Sequence, residues 1–436
     1  MSTSAEAPAG RDTRLWHPFA DMAAVRGAEL VIARGEDVWV WDEEGRRYLD
    51  AFGSLWYANI GHGRAEIADA VAAQMRTLEA FTIFFDYANR PALDLADRLA
   101  DLSPMPGTRV LLGAGGSEAI DSAVKLVRRY WTQVGEPGRT HIITREHAYH
   151  GVGGAGTSLS GIPANREGWG PLLSGTSQID HADPEALEAE IARLGAGAVA
   201  AFFCEPVIGA GGVRPPAPGY LERVAEICAQ HGVLYVSDEV ICGFGRLGTW
   251  FGIERWGIVP DLIIFAKGVT SGYLPLGGVL VGERVARPFW EEPGTMVRHG
   301  FTFAGHPACC AAALANLDVI EREGLLARGA ELEGLLAGAL APLAGHPAVT
   351  EVRSGTGAMA ALDLAVTPEE PAPGPRLVAA VRAAGVITRA TGPATVAVCP
   401  PLTATAEHVG LLREALDTGL ATLPAAAPGA AAAGRP

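Results

Sequence analysis

Three short stretches of this 436-residue chain carry side chains able to do chemistry, at places where a fold could use them. Leu111-Leu-Gly-Ala-Gly-Gly116 is a glycine-rich turn running into Ser117 and a segment of helical periodicity. Its backbone N–H groups would open a helix N-terminus, which can bind a phosphate. Ser237-Asp238-Glu239 follows one apolar run and Ala266-Lys267-Gly268 follows another. A lysine among small and apolar neighbours can fall below its usual pKa of about 10.4 and act as a nucleophilic amine. Taken singly, each stretch has an ordinary explanation: a plain turn, a helix-capping Asp-Glu pair, a solvated lysine. Taken together, a phosphate cradle, a nucleophilic amine and an acid able to keep a pyridine nitrogen protonated are the requirements of pyridoxal phosphate.

Such residues must be brought together by a scaffold. From Ser117 to Trp131, Ala119/Ile120, Ala123/Val124, Leu126/Val127 and Tyr130/Trp131 recur three to four apart, which predicts an amphipathic helix. His141–Thr144 reads as a short strand, and the unbroken apolar run Val199–Cys204 as a strand buried on both faces. A helix around Gly219–Gln230 is closed by Gly232, and Val233–Val236 and Asp261–Phe265 are further strands. Alternation of this kind predicts an α/β fold, a mostly parallel central sheet sandwiched by helices, with ligands at the carboxyl ends of the strands. The outer parts differ. Residues 36–50 read as a β-hairpin turning at Glu44-Gly45, and the C-terminal part as helices at 314–323 and 326–342, a strand–turn–strand at 349–364, a helix at 376–384 and a strand pair at 386–399. The expected organisation is a large cofactor domain over 61–310 and a smaller α+β domain from both ends, 14–60 and 311–420. Residues 1–13 and the Ala/Pro-rich 421–436 are expected to be disordered.

Composition bounds the function. Apolar residues make up 49% of the chain and charged ones 19%, enough for a large core. A net charge of −15 argues against nucleic acid or an anionic membrane as partner. The longest apolar stretch, 196–204, is far short of the roughly 20 residues needed to span a bilayer. No basic-then-apolar leader is visible, and the six cysteines form no C-x-x-C pair, so reduced thiols and a cytoplasmic location are expected.

Beyond these features the sequence resembles the class III aminotransferases of the fold-type-I pyridoxal-phosphate superfamily, most closely their ω-amine:pyruvate and β-alanine:pyruvate branch. The likeness rests on ten stretches in family order, among them DAFGSLWYANIGHG (50–63), GGSEAIDSAVKLVRRYW (115–131), EPVIGAGGVRPP (205–216), SDEVICGFGRLGTWFG (237–252), DLIIFAKGVTSGYLPLGG (261–278) and TRATGPATVAVCPPLT (388–403). It implies that Lys267 is the Schiff-base lysine and Asp238 the partner of the pyridine nitrogen, with Val240 and Tyr149 on the two ring faces. It further implies that Gly115, Gly116 and Ser117 form the phosphate cradle, with Thr302 reaching the phosphate of the neighbouring subunit. Trp56, Phe84 and Phe85 would wall the substrate pocket, the two phenylalanines from the partner, and Arg389 would bind the substrate carboxylate. The implied reaction is a ping-pong transamination from an ω-amino acid or amine donor to a keto-acid acceptor such as pyruvate. The implied assembly is a homodimer, or a tetramer, with active sites at the subunit interface.

Two departures matter. The family's usual S-G-S-E turn has Gly115 in place of its first serine, removing one hydroxyl from the cradle. The glutamate that gates the arginine in ornithine and γ-aminobutyrate transaminases is Ala210 here, which favours the ω-amine branch. Rival readings on the same scaffold are a diaminononanoate transaminase, echoed by Trp16-His-Pro-Phe19, and a decarboxylase or aminomutase. A DNA-binding regulator built on this fold is disfavoured, since only about 40 residues precede the hairpin and they hold no basic helix-turn-helix pattern. Gly151-Val-Gly-Gly-Ala-Gly156 satisfies G-x-G-x-x-G, yet no convincing helix is predicted after it and no acidic residue sits at a strand end some 20 positions on. His147 and His150 lack companions at metal-ligand spacing, so no metal is expected.

Overall fold

Six strands of the central sheet point the same way, and that common direction gathers the chemistry at one edge. The computed structural model describes residues 13–424. Its seven-stranded sheet runs in the order Arg109–Gly113, Gly277–Val281, Leu262–Phe265, Leu234–Asp238, Val199–Cys204, His141–Arg145, Thr176–Ile179. Only Gly277–Val281 is antiparallel, and it is so to both of its neighbours. Residues that follow the other six strands therefore emerge together.

Alternation along Val199–Cys204 explains its unbroken apolar character. Phe203 packs with the helix Gly116–Gln133 on one face, and Phe202 packs with Tyr220–His231 on the other. Both helices turn their periodic apolar residues to the sheet, as the spacing predicts. Thr176–Ile179 and Gly277–Val281 went unread because one is half polar and the other opens on glycines. The glycine-rich stretch at 111–116 is itself divided: Arg109–Gly113 is strand, and the helix begins at Gly116.

The expected hairpin is part of a three-stranded meander, Ile32–Glu36, Trp39–Asp42 and Arg47–Asp50. Val386–Ile387 joins it in parallel, pairing Val386 with Leu49, so the two ends of the chain share one sheet. A second sheet joins Val349–Arg353, Ala360–Leu364, Thr395–Val398 and Arg389–Ala390. The helix Pro307–Arg322 is longer than the expected 314–323. Most of the two end segments expected to be disordered lies outside the described residues. Residues 421–424 correct that expectation: the chain turns after Ala406–Leu420 and Leu423 is buried, because its side chain completes the apolar core there. All six cysteines are free and buried, and among the described residues no helix is long and apolar enough to cross a membrane.

Candidate active site

Asp238 is the last residue of its strand, and its carboxylate is fixed from two sides. Oδ2 lies 2.8 Å from His150 Nδ1, and Oδ1 accepts the N–H of Val240 at 3.1 Å. His150 Nε2 in turn meets Thr144 Oγ1 at 2.8 Å. All three residues are buried, so this Thr144–His150–Asp238 line orients the carboxylate within the protein interior. The sequence offered no sign of it. His150 stood out only as half of a doubtful metal pair, and its partners are 6 and 88 residues away.

Lys267 follows Leu262–Phe265, two residues past the strand. Its φ of 47° is left-handed, a strained conformation for a side chain with a Cβ. Burial pulls its amine below the usual lysine range, while the Asp238 and Glu205 carboxylates hold it up. Glu205, at the end of Val199–Cys204, was also missed, although it occupies the same strand-end position as the two residues that were read. Its carboxylate accepts Tyr149 N–H at 3.0 Å and Gly209 N–H at 2.9 Å, and burial pushes its pKa up. Glu239, beside Asp238, points elsewhere. It accepts from Ser237 Oγ at 2.9 Å and from the N–H groups of Gly252 and Ile253 at 2.8 Å each, capping the turn Gly252–Trp256. Burial pushes it to about 7. The capping explanation of the Asp-Glu pair thus holds for one acid and fails for the other.

The cradle lies at the same edge. A Cβ on Gly116 would stand 3.1 Å from Val240, so helix start and Val240 are in close contact. Gly115 is extended, and a Cβ there would meet nothing within 4 Å, so a serine fits where this chain has glycine. Ser117 Oγ accepts Val152 N–H at 3.0 Å, leaving its own proton for an anion. An 18-residue helix presents its unpaired first-turn N–H groups here. A phosphate cradle, an oriented buried carboxylate and a depressed amine converge at one sheet edge, and they fit pyridoxal phosphate.

Substrate residues divide into two groups. Tyr149 and Arg389 belong to the Lys267 group: burial raises the Tyr149 phenol while Arg389 opposes it, and burial lowers Arg389. The Arg389 guanidinium stands 5.8 Å over the Phe52 ring, and among the described residues no carboxylate pairs with it. Trp56, 3% exposed, packs edge-on against Phe52 at 4.5 Å between centroids, inside a core with Val207 and Ile241. Phe84, Phe85 and Thr302 are exposed, with Phe85 94% exposed and the Phe84 ring beside Gly300.

The G-x-G-x-x-G pattern has a packing explanation. A Cβ on Gly151 would lie 2.5 Å from Ser117 Oγ, one on Gly153 2.6 Å from the Asp121 carboxylate, and one on Gly156 2.2 Å from the His150 carbonyl oxygen. These glycines let the loop close on the Gly116–Gln133 helix. A short helix does follow within the motif, Gly154–Leu159, contrary to expectation. Asp121 starts it by accepting Ala155 N–H at 3.0 Å. His147 meets His181 edge-on at 4.8 Å, and burial and Arg214 lower it to about 4. Among the described residues no three potential ligands cluster for a metal.

Fold and site are those of a pyridoxal-phosphate enzyme with its lysine, acid and cradle at one sheet edge. Residues 22–420 match the family model Aminotransferase class-III, and the chain belongs to that family. It is 39% identical over 369 residues to the putrescine–pyruvate aminotransferase of Pseudomonas aeruginosa, covering 80% of each chain. It is 36% identical over 362 residues to the omega-amino acid–pyruvate aminotransferase of Pseudomonas putida, covering 78% of this chain and 80% of the relative. Among solved structures, a PLP-bound amine transaminase from an uncultivated Pseudomonas species superposes with a TM-score of 0.90 at 39% identity, over 94% of this chain and 99% of that one. The protein is a pyridoxal-phosphate-dependent aminotransferase, moving an amino group from a donor to a keto acid.

Proposed function

We propose that the chain is an ω-amino acid and amine transaminase with pyruvate as acceptor, working in the cytoplasm as a homodimer. On this reading 61–310 form the cofactor domain, and 14–60 with 311–420 the smaller one. The observation that carries the substrate class is Arg389: a guanidinium beside Tyr149, without a carboxylate partner among the described residues, with Ala210 where a gating acid would stand. Relatives that act on putrescine or on ω-amino acids with pyruvate support it. The exposed aromatic surface of Phe85 and Phe303 supports a second subunit, to which Phe84, Phe85 and Thr302 would contribute.

The residues divide the work. Pyridoxal phosphate, when bound, supplies an electron sink for the bond broken at the donor carbon. Gly116 and Ser117 would hold its phosphate through N–H and hydroxyl donors, with Gly115 contributing backbone alone. Tyr149 and Val240 would flank its ring. Asp238, oriented by His150, would face the ring nitrogen with its carboxylate. Lys267, with its depressed amine, accepts the proton at the donor carbon and returns it during the second half-reaction. Arg389 binds the carboxylate of amino-acid donors and acceptors.

Half-reactions followed by cofactor absorbance, with β-alanine and an alkylamine as donors, test the assignment. Both should react. Arg389→Leu should lower kcat/KM for β-alanine roughly 100-fold, as expected for losing a charge-assisted bidentate contact, and leave the alkylamine nearly unchanged. Reaction confined to carboxylated donors, or equal loss for both, refutes the reading.

A further inference from the structure

One face of the Gly116–Gln133 helix lines a groove that the reaction does not use. Asp121, Val124, Lys125 and Arg128 are spaced three, four and seven apart, so they form one stripe. That stripe walls a groove of about 1000 Å³, which opens beside Tyr149 and Gly151 and is otherwise bordered mainly by apolar residues such as Leu173 and Trp169. Tyr149 is common to the groove and to the Lys267 group.

The end of the groove away from Ser117 is cationic. Arg128 donates from Nε to Thr140 O at 2.9 Å and from Nη2 to Ser174 O at 3.1 Å, two carbonyls that hold the guanidinium without neutralising it. Lys125 Nζ lies 2.9 Å from His299 Nδ1, another uncharged partner, since burial and Lys125 keep the His299 pKa below its ordinary value. Among the described residues neither cation makes a salt bridge, in a chain whose net charge is −15. The acid of the stripe, Asp121, is already engaged by the N–H groups of Ala155 and Gly156. Apolar walls ending in two cations that make no salt bridge among the described residues complement an apolar chain with an anionic head.

We propose that this groove binds the far end of an extended amine donor, an alkyl chain ending in a carboxylate or phosphate, whose amine reacts at Lys267 and whose head is held by Arg128 and Lys125. The inference rests on the reading of the protein as a transaminase of amine donors. From Ser117 to Arg128 the helix rises about 16 Å. An extended chain of roughly a dozen bonds covers that stretch, from the cradle end of the helix to Arg128. Short donors have Arg389 for their carboxylate; long ones have this second site.

Steady-state kinetics of the holoenzyme with pyruvate test it, using 4-aminobutanoate, dodecylamine, 12-aminododecanoate and 12-aminododecyl phosphate. The wild type should prefer at least one of the long anionic donors to dodecylamine, and the better head identifies carboxylate or phosphate. Arg128→Leu combined with Lys125→Met should lower kcat/KM for that donor about tenfold, which corresponds to about 1.4 kcal/mol. Dodecylamine and 4-aminobutanoate should change less than about twofold, an interaction of below about 0.4 kcal/mol. Equal losses for dodecylamine and the anionic donors overturn the proposal, and so does indifference of every donor to the two substitutions. Failure of the underlying assignment looks different: no donor is turned over at all.

Discussion

His150 is the residue whose removal most directly tests how this site is built. Its ring spans from Thr144 Oγ1 to Asp238 Oδ2 with 2.8 Å at each end, inside the protein. Replacing it by phenylalanine keeps a ring in the space beside Phe203 but leaves the Asp238 oxygen and the Thr144 hydroxyl unpaired. A hydrogen bond to a charged group contributes about 1.5–3 kcal/mol, so cofactor affinity or turnover should fall by roughly 10- to 150-fold. The loss should appear in both, because a carboxylate free to rotate holds the ring nitrogen less well. His150→Asn, whose amide can take the place of Nδ1, should restore most of the contact to Asp238 while still losing Thr144. The assay is cofactor titration of the apoprotein by absorbance, with kcat for the best donor and circular dichroism to confirm folding. Equal behaviour of His150→Phe and wild type in a folded protein would refute the orienting role. Equal failure of the phenylalanine and asparagine variants would place the effect in packing instead.

Two further outcomes are expected. Gly156→Ala should destabilise by about 3 kcal/mol, at the upper end for overpacking, since its Cβ meets a backbone carbonyl at 2.2 Å. Gly154→Ala, with nothing within 4 Å of its Cβ, should leave the melting temperature nearly unchanged, and similar losses for the two would sink the packing account of the glycine motif. Glu239 titrates at about 7 in the fold and at about 4.5 unfolded, so between those values the native state holds the extra proton. Stability should therefore decline as pH rises from about 4.5 to 7, by about 3 kcal/mol. In denaturant titrations at pH 5 and pH 8, Glu239→Gln should remove that decline; an unchanged difference between the two pH values counts against a protonated buried Glu239.

How much of this site was legible depended on distance along the chain. Lys267, Asp238 and the Gly116 turn could be read because each is announced locally: an apolar run of strand length, then a polar or glycine-rich break where ligands gather in α/β folds. Glu205 carried the same local mark and could have been read the same way. His150 could not. Its value comes from a strand end 88 residues away, and nothing in the spacing Tyr149-His150-Gly151 reports that neighbour. Glu239 shows the opposite case, an acid in the right place in sequence whose side chain the fold turns to cap Gly252 and Ile253.

Sequence alone therefore determined the parts: the α/β alternation, the family, the cofactor, and the lysine, acid and cradle proposed to serve it. Those follow from local periodicity and from ten stretches in order. Tertiary structure decided the partnerships. Sheet order set which strand ends are neighbours and so gave Asp238 its histidine and Tyr149 its glutamate. Close approach of the 151–156 loop to the Gly116–Gln133 helix turned a nucleotide-like glycine pattern into a packing device. The small-domain sheet, closed by Val386 pairing with Leu49, joined the two chain ends. The physical reason is that backbone propensity acts over a few residues, whereas hydrogen-bond partners of buried charges are chosen by packing between segments far apart in the chain.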